Sequence, residues 1–565
     1  MKFLKSIAAL PKPVLAGGAF LVLATLLVYW PALHGGFIWD DDAYVVNNAL
    51  LTAPDGWWRI WFSTDHPSQY FPLAYSTLRI ERTLWGLNPF GYHLVNVLQH
   101  AANALLAWAV LRRLAVPGAW FAAALFALHP VQVETAAWIT EIKNTQSTFF
   151  FLLALLAWMK FTAEETSSRW RFYGLALGLH ALALFSKTTA CTFPAAMVLV
   201  LWLRGQRADG QRAIQIAPFV VFGLAMGLVS VWWEGYTGSY DAALGLHFSL
   251  VERLLIASRA VWFYLGKLVW PVDLAFSYPR WEINPRDALQ YSWVVACVAF
   301  AALLWWRRES WRRSVIPAAV FYVATLAPLL GFLTLYTFYY SFVADHYQYL
   351  ACLGPFALLA AGLARLAERT RPSPTVQRAV PAILLAGLGA LTWQQAGIYT
   401  DLETLWQDTL LKNPRSFMAH NNLAIVLTAK GNREEAEKHL LAALAERPDN
   451  ADAHFNYGNL LVATGRTGQA IEQYELAVKL KPGEFSYRHN LGVALFDAKR
   501  LDEAVAQFRE VLRQRPDLVQ THFNLATALE SQHRTNEAVQ VYRDVLRLEP
   551  DSAKAQARLR VLTGQ

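Results

Sequence analysis

Long apolar runs with few polar positions recur through residues 1–399, near 14–33, 92–111, 116–134, 146–161, 171–185, 190–204, 213–233, 291–306, 314–333, 348–366 and 379–397. About 20 apolar residues cross a bilayer's hydrocarbon core, so these runs predict membrane helices, eleven in all, some of them short. The first follows Lys2, Lys5 and Lys12 and has no small-residue cleavage site after it, so it reads as a retained anchor. Residues 249–270 are also helical in pattern, but Arg253, Arg259 and Lys267 interrupt them at six- to eight-residue spacing, near two turns. That spacing suggests one shared polar face and an in-plane or half-inserted helix.

Beyond residue 399 the pattern changes to short amphipathic segments punctuated by prolines at 414, 448, 482, 516 and 550, each 34 residues from the last. This is the period of the tetratricopeptide repeat. Small residues fall in register at Ala424, Gly458, Gly492 and Ala526, and again at Ala436, Ala470, Ala504 and Ala538, with Leu427, Leu461, Leu495 and Leu529 between them. Four full repeats are expected over 416–551, after a half repeat at 400–413 and before a capping helix at 552–565. The predicted organisation is thus a polytopic membrane domain, 1–399, and a repeat domain, 400–565. Asn422, Asn456, Asn490 and Asn524 share the period, although packing does not require asparagine there. Such a ladder offers one donor and one acceptor per repeat to the backbone of an extended peptide. It resembles the asparagine ladder of the nucleocytoplasmic O-GlcNAc transferase. The competing reading is hydrogen bonding within the array. His420, His454 and His522 precede three of these asparagines, but Arg488 takes the fourth place, which disfavours a metal site.

Composition agrees with a membrane part diluted by a soluble one: 55% hydrophobic, 16% charged, mean hydropathy +0.24. The net charge of +8 arises in the first 399 residues, which hold 29 basic and 20 acidic side chains, against 21 and 22 in the remainder. Alternate loops of the membrane part carry 19 basic and five acidic residues, and the others 10 and 15. By the positive-inside rule the N-terminus is cytoplasmic, and eleven crossings place the C-terminal repeats outside the cytoplasmic membrane. The charge is topology, and no nucleic-acid partner is indicated. The three cysteines, all in apolar segments, form no disulfide or metal framework.

On the expected outer side, polar residues gather. The first loop reads FIWDDDAYVVNN, with Asp40, Asp41 and Asp42 in succession. The second, HPVQVETAAWITEIKN, carries His129, Glu134, Glu141 and Lys143, the third carries Lys187, and the fifth carries Asp345 and His346. Charges beside a bilayer are costly unless paired or liganded, so acids and bases on one side suggest an outward polar cavity.

These motifs, in this order and followed by the repeats, resemble the bacterial relatives of the transmembrane tetratricopeptide-repeat O-mannosyltransferases, within the GT-C superfamily. The resemblance rests on the acidic WDD, HPxxxE, the SK turn and ADxYxYL. It implies a sugar moved from a polyprenyl-phosphate donor to Ser or Thr hydroxyls of exported proteins, outside the cytoplasmic membrane. It places Asp40 and Asp41 at the catalytic position, His129 and Glu134 in the site wall, and Lys187 near the lipid phosphate. Relatives often carry Arg after the last Asp, where this chain has His346, so Arg253 or Arg259 could supply that charge. Asp42 leaves the base ambiguous. One carboxylate suffices for an inverting displacement, because a phosphate leaving group needs no acid. The lipid-linked sugar is the donor substrate; a divalent metal at Asp40–Asp42 is not favoured. The rivals are transfer to a lipid or glycan, a membrane-anchored repeat scaffold, and a flippase.

Overall fold

A computed structural model describes residues 11–64, 69–163, 169–236 and 246–564. Lys2, Lys5, Glu164 and Glu165, counted in the loop charge, lie outside the described residues. The described chain is helical and divides into two compact units, 1–413 and 414–565.

In the first unit, all eleven apolar runs are helical over most of their length. Among the described residues, four helices are long and apolar enough to cross a membrane: Pro89–Arg113, Gly210–Trp233, Ala288–Trp306 and Pro374–Ile398. Lys12–Val28, Ala119–Leu128, Thr188–Leu203 and Val315–Leu329 are apolar but shorter. Ala119–Leu128 ends at His129, after which short helical turns at Pro130–Gln132, Val133–Ala137 and Ile139–Glu141 lead into Ile142–Phe161. This broken passage is almost wholly buried.

Between the first two apolar runs, where no membrane helix is expected, helices Gly56–Phe62 and Pro72–Trp85 form. Tyr44, Leu50, Ile60, Tyr75, Leu78 and Tyr92 pack with Ile139 and Ile142 into one apolar cluster. The Arg79 guanidinium donates to the carbonyls of Leu50 (2.5 Å) and Ala53 (2.7 Å). The first loop is therefore a small folded layer fixed to the second turn.

Helix Leu250–Val269 has a full capping box, Ser249 with Glu252. Its three cations do not share a face. Six residues turn an α-helix by about 240°, so Arg253 and Arg259 diverge, and only Arg253 and Lys267 roughly align. Helix Leu402–Lys412, read from sequence as a half repeat of the second domain, falls in the first unit. There Trp406 meets Trp39 (ring centroids 5.1 Å) and Phe276 (5.4 Å).

The second unit contains four helix pairs, from Phe417–Ala429 with Arg433–Glu446 to Val519–Ser531 with Thr535–Leu548, then Ala553–Thr563. The small residues are explained by close approach. A Cβ on Gly458 would lie 2.5 Å from the Tyr474 ring, and one on Gly492 2.7 Å from Phe508. Each pair buries its apolar seam against the next, joining Leu461, Tyr474, Leu495, Phe508, Leu529 and Tyr542 in a continuous core.

Candidate active site

Asp40 and Asp41 are adjacent in sequence but differ in surroundings. Trp39 before them has φ +47°, a left-handed conformation unfavourable for a bulky residue, and a five-residue π-turn follows at Asp42–Val46. Between these irregularities Asp41 turns inward and is fully buried. Its Oδ2 accepts from the Ile38 N–H (2.9 Å), and its Oδ1 from the Thr140 N–H (2.9 Å) and the Thr140 hydroxyl. Burial pushes its carboxyl up to about 7, against the pull of these three donors. Asp41 thus ties the first loop to the second turn. Asp40 is partly exposed, and among the described residues no hydrogen bond or ion pair engages its carboxylate. Burial raises its pKa, Lys143 and His346 oppose that shift, and Glu141 reinforces it. Asp42 is exposed.

Beside Asp40 stands a buried charge cluster. Glu141 lies 3.0 Å from Lys143 Nζ and 3.6 Å from Lys187 Nζ, and it accepts from the Asn144 amide. Burial alone would raise Glu141, but Lys143 and Lys187 hold it well below the usual carboxylate range. Lys143 is also flanked by the rings of Tyr44 (5.4 Å) and Trp138 (5.6 Å). Lys187 caps helix Trp170–Ser186, and burial draws its ammonium down to about 8 despite Glu141. Glu134 lies 3.0 Å from His346 Nδ1 and accepts the His346 N–H at 2.9 Å, while Asn144 donates to the His346 carbonyl (3.2 Å). Residues 134, 141, 143, 144, 187 and 346 thus form one connected group.

Lys187 also lines a cavity of about 520 Å³ whose walls include Phe71, Val231, Leu246, Phe332 and Leu335. Arg253 reaches the same cavity, but its guanidinium donates to the carbonyls of Phe248, Gly331 and Phe332 and to the Thr334 hydroxyl, pinning that wall.

Three of the expected site residues are engaged by partners outside the charge cluster. His129 sits apart from the cluster: Nδ1 accepts from the Val131 N–H and Nε2 meets the Leu268 carbonyl at 3.1 Å, so the ring joins two segments instead of walling the site. Arg259 stacks over Trp281 at 4.3 Å and is not in the Lys187 cavity, as the helical geometry requires. Asp345 is buried and accepts twice from the Tyr278 hydroxyl (2.9 and 3.1 Å), and burial raises its carboxyl well above the usual range. Conversely, Glu141, Lys143 and Asn144 gain a central place. Their signal was the charged pair in TEIKN, set two apart between apolar runs. Among the described residues no group of three His, Cys, Asp or Glu side chains is placed to hold a metal ion.

In the repeats, Asn456 Nδ2 donates to Asn421 Oδ1 (2.9 Å), Asn490 Nδ2 to Asn459 Oδ1 (3.0 Å), and Asn524 Nδ2 meets His489 Nε2 (3.4 Å). Asn422 donates within its own helix to the Met418 carbonyl (2.7 Å). Three of the four ladder amides therefore join consecutive repeats. Their Oδ1 atoms at 422, 456 and 490 accept nothing among the described residues. The repeat histidines bond the carbonyls of Pro414, Pro448 and Pro516.

Residues 65–233 match the family described as Dolichyl-phosphate-mannose-protein mannosyltransferase, and 421–485, 470–519 and 495–560 match tetratricopeptide repeats. Among curated relatives, Protein O-mannosyl-transferase Tmtc1 of Drosophila melanogaster is 26% identical over 548 residues, covering 78% of this chain and 62% of that protein. Protein O-mannosyl-transferase TMTC2 of Homo sapiens is 33% identical over 165 residues, covering 27% of this chain and 20% of that protein. The chain thus spans less than two thirds of either relative. The solved structure of YrrB, a TPR protein with an unusual peptide-binding site, matches at 20% identity, covering 35% of this chain and 96% of that one, with a TM-score of 0.26. The chain is thus similar, over most of its length, to protein O-mannosyl-transferases of the TMTC type, and a segment like the dolichyl-phosphate-mannose-protein mannosyltransferases precedes its tetratricopeptide repeats.

Proposed function

We propose that the chain is a membrane glycosyltransferase that moves a sugar, mannose by family likeness, from a polyprenyl-phosphate donor to Ser or Thr hydroxyls of polypeptides. The observation that carries this reading is the contrast between the two carboxylates. Asp41 is fully engaged by three donors, whereas Asp40 is unengaged beside a cationic cluster. In this reading Asp40 is the base. It takes the acceptor hydroxyl's proton as the oxygen attacks the anomeric carbon, while the bond to the lipid phosphate breaks with inversion. Such general-base help is worth roughly 10²–10⁴-fold.

The apolar cavity ending at Lys187 suits a polyprenyl chain whose phosphate meets that ammonium. Glu141 holds Lys143 and Lys187 together, so positive charge faces the departing phosphate as its negative charge grows. Glu134 aims the His346 ring at the same group. The loop-charge asymmetry supports eleven crossings, a site outside the cytoplasmic membrane and repeats on that same side, where the ladder's Oδ1 atoms would accept N–H groups of the acceptor. The experiment is transfer by the purified protein in nanodiscs from polyprenyl-phosphate mannose to a Ser/Thr-rich peptide. Glycopeptide from wild type and none from Asp40→Asn is the expected result. A glycolipid product would move the acceptor to another class, and full activity in Asp40→Asn would remove the base.

A further inference from the structure

A second cavity, of about 500 Å³, shares no lining residue with the acidic loop and lies between helices Ile142–Phe161, Phe193–Leu203, Val315–Leu326 and Leu353–Thr370, with the end of Pro89–Arg113 and the turn after it closing one side. Its wall is apolar, with Leu155, Leu203 and Phe321 among the lining side chains. Arg313, Arg365 and Arg369 line it as well, with Ser310 and Ser314 nearby. None of the three guanidiniums has a carboxylate within 4.0 Å among the described residues. The nearby Glu309 pairs instead with Arg308 (3.8 Å) and does not line the cavity. These arginines belong to two of the basic loops, so the cavity opens toward the leaflet those loops face.

An apolar cleft between membrane helices with three unpaired arginines has the charge and polarity of a lipid whose headgroup is an anion. Lysine- or arginine-rich pockets between membrane helices attract such headgroups, each cation adding to the attraction. We infer that this cavity binds an anionic phospholipid of the bilayer, one acyl chain between the four helices and the phosphate among Arg313, Arg365 and Arg369. Ser314 adds a hydroxyl donor for the headgroup, while the Ser310 hydroxyl donates to the Arg307 carbonyl (3.1 Å). The helices it would touch include Ile142–Phe161, which begins immediately after Glu141 and carries Lys143 and Asn144 at its start. A lipid lodged against Leu152 and Leu155, at the middle of that helix, would brace the scaffold of the charge cluster.

Two variants test the two halves of the site. Arg313→Gln with Arg365→Gln and Arg369→Gln removes the charge. Gly362→Phe fills the cleft: Gly362 lines the cavity, and a Cβ there meets nothing within 4 Å, so the larger side chain has room without disturbing the backbone. The full-length protein in phosphatidylcholine nanodiscs, titrated with phosphatidylglycerol and read by native mass spectrometry, should retain phosphatidylglycerol in preference to phosphatidylcholine. The triple variant should lose affinity by on the order of 100-fold, and Gly362→Phe should abolish retention with the arginines intact. Equal retention of the two lipids, or undiminished phosphatidylglycerol binding by either variant, overturns the inference. So does displacement of phosphatidylglycerol by undecaprenyl phosphate at equal concentration, which would make the cleft a polyprenyl-phosphate site.

Discussion

Asn at position 41 separates the structural carboxylate from the chemical one. Asp41 accepts three hydrogen bonds through two oxygens, at zero exposure. An asparagine can keep its carbonyl toward Thr140, but its amide then points at the Ile38 N–H, donor against donor. A buried donor left unsatisfied costs about 1–3 kcal/mol, so Asp41→Asn should lower stability by that amount. Thr140→Val removes only the hydroxyl contribution, about 1 kcal/mol. The two changes share a partner, so their effects should be non-additive, with a coupling of about 0.5–1.5 kcal/mol. Asp40→Asn breaks no hydrogen bond or ion pair described for this chain and should change stability by less than about 0.5 kcal/mol, yet abolish turnover. Denaturant unfolding in detergent micelles, run beside sugar transfer on the same preparations, distinguishes the pair. A stable, inactive Asp41→Asn together with an active Asp40→Asn would refute the division of labour.

Other consequences follow from the same geometry. The Lys187 ammonium titrates near 8, drawn down by burial, and only its charged form attracts phosphate. Donor KM should therefore rise about tenfold per pH unit above 8, with Lys187→Arg flattening the profile; a flat wild-type profile would exclude Lys187 from the phosphate. Alanine at Asn422, Asn456, Asn490 and Asn524 should weaken peptide binding, measured as acceptor KM, without altering donor KM. Equal loss with a short soluble acceptor would count against peptide clasping. Gly458→Ala places a methyl 2.5 Å from the Tyr474 ring and should cost about 1–3 kcal/mol, seen as faster hydrogen exchange in residues 451–480 of the full chain.

The repeats were legible because a 34-residue period returns its apolar and small residues four times and its proline five times. The apolar helices of the first unit were legible because length and apolarity are one-dimensional properties. The site was legible only as an assembly of motifs. Nothing in the string DDD tells which carboxylate turns inward, because that depends on Trp39 adopting φ +47° and on Thr140, nearly a hundred residues later, offering two donors. His129 illustrates the opposite error: a polar residue beside an apolar run is as readily used to join segments, here through the Leu268 carbonyl. Arg259 follows Arg253 by six residues, short of two full helical turns, and so faces another way. Its partner Trp281 comes from a distant loop and could not be inferred locally. The ladder asparagines were visible as a period, but whether their amides meet a peptide or the neighbouring repeat is decided by superhelical spacing.

In the proposed reaction the donor phosphate rests against Lys187 while its sugar reaches Asp40. A structure of the full chain with a non-transferable polyprenyl-phosphonate sugar tests it directly. The account predicts the phosphonate within about 3–4 Å of Lys187 Nζ, the lipid chain in the cavity bounded by Phe71 and Phe332, and the anomeric carbon facing the Asp40 carboxylate. A headgroup bound instead at Arg259 and Trp281, or a sugar directed away from Asp40, would contradict it.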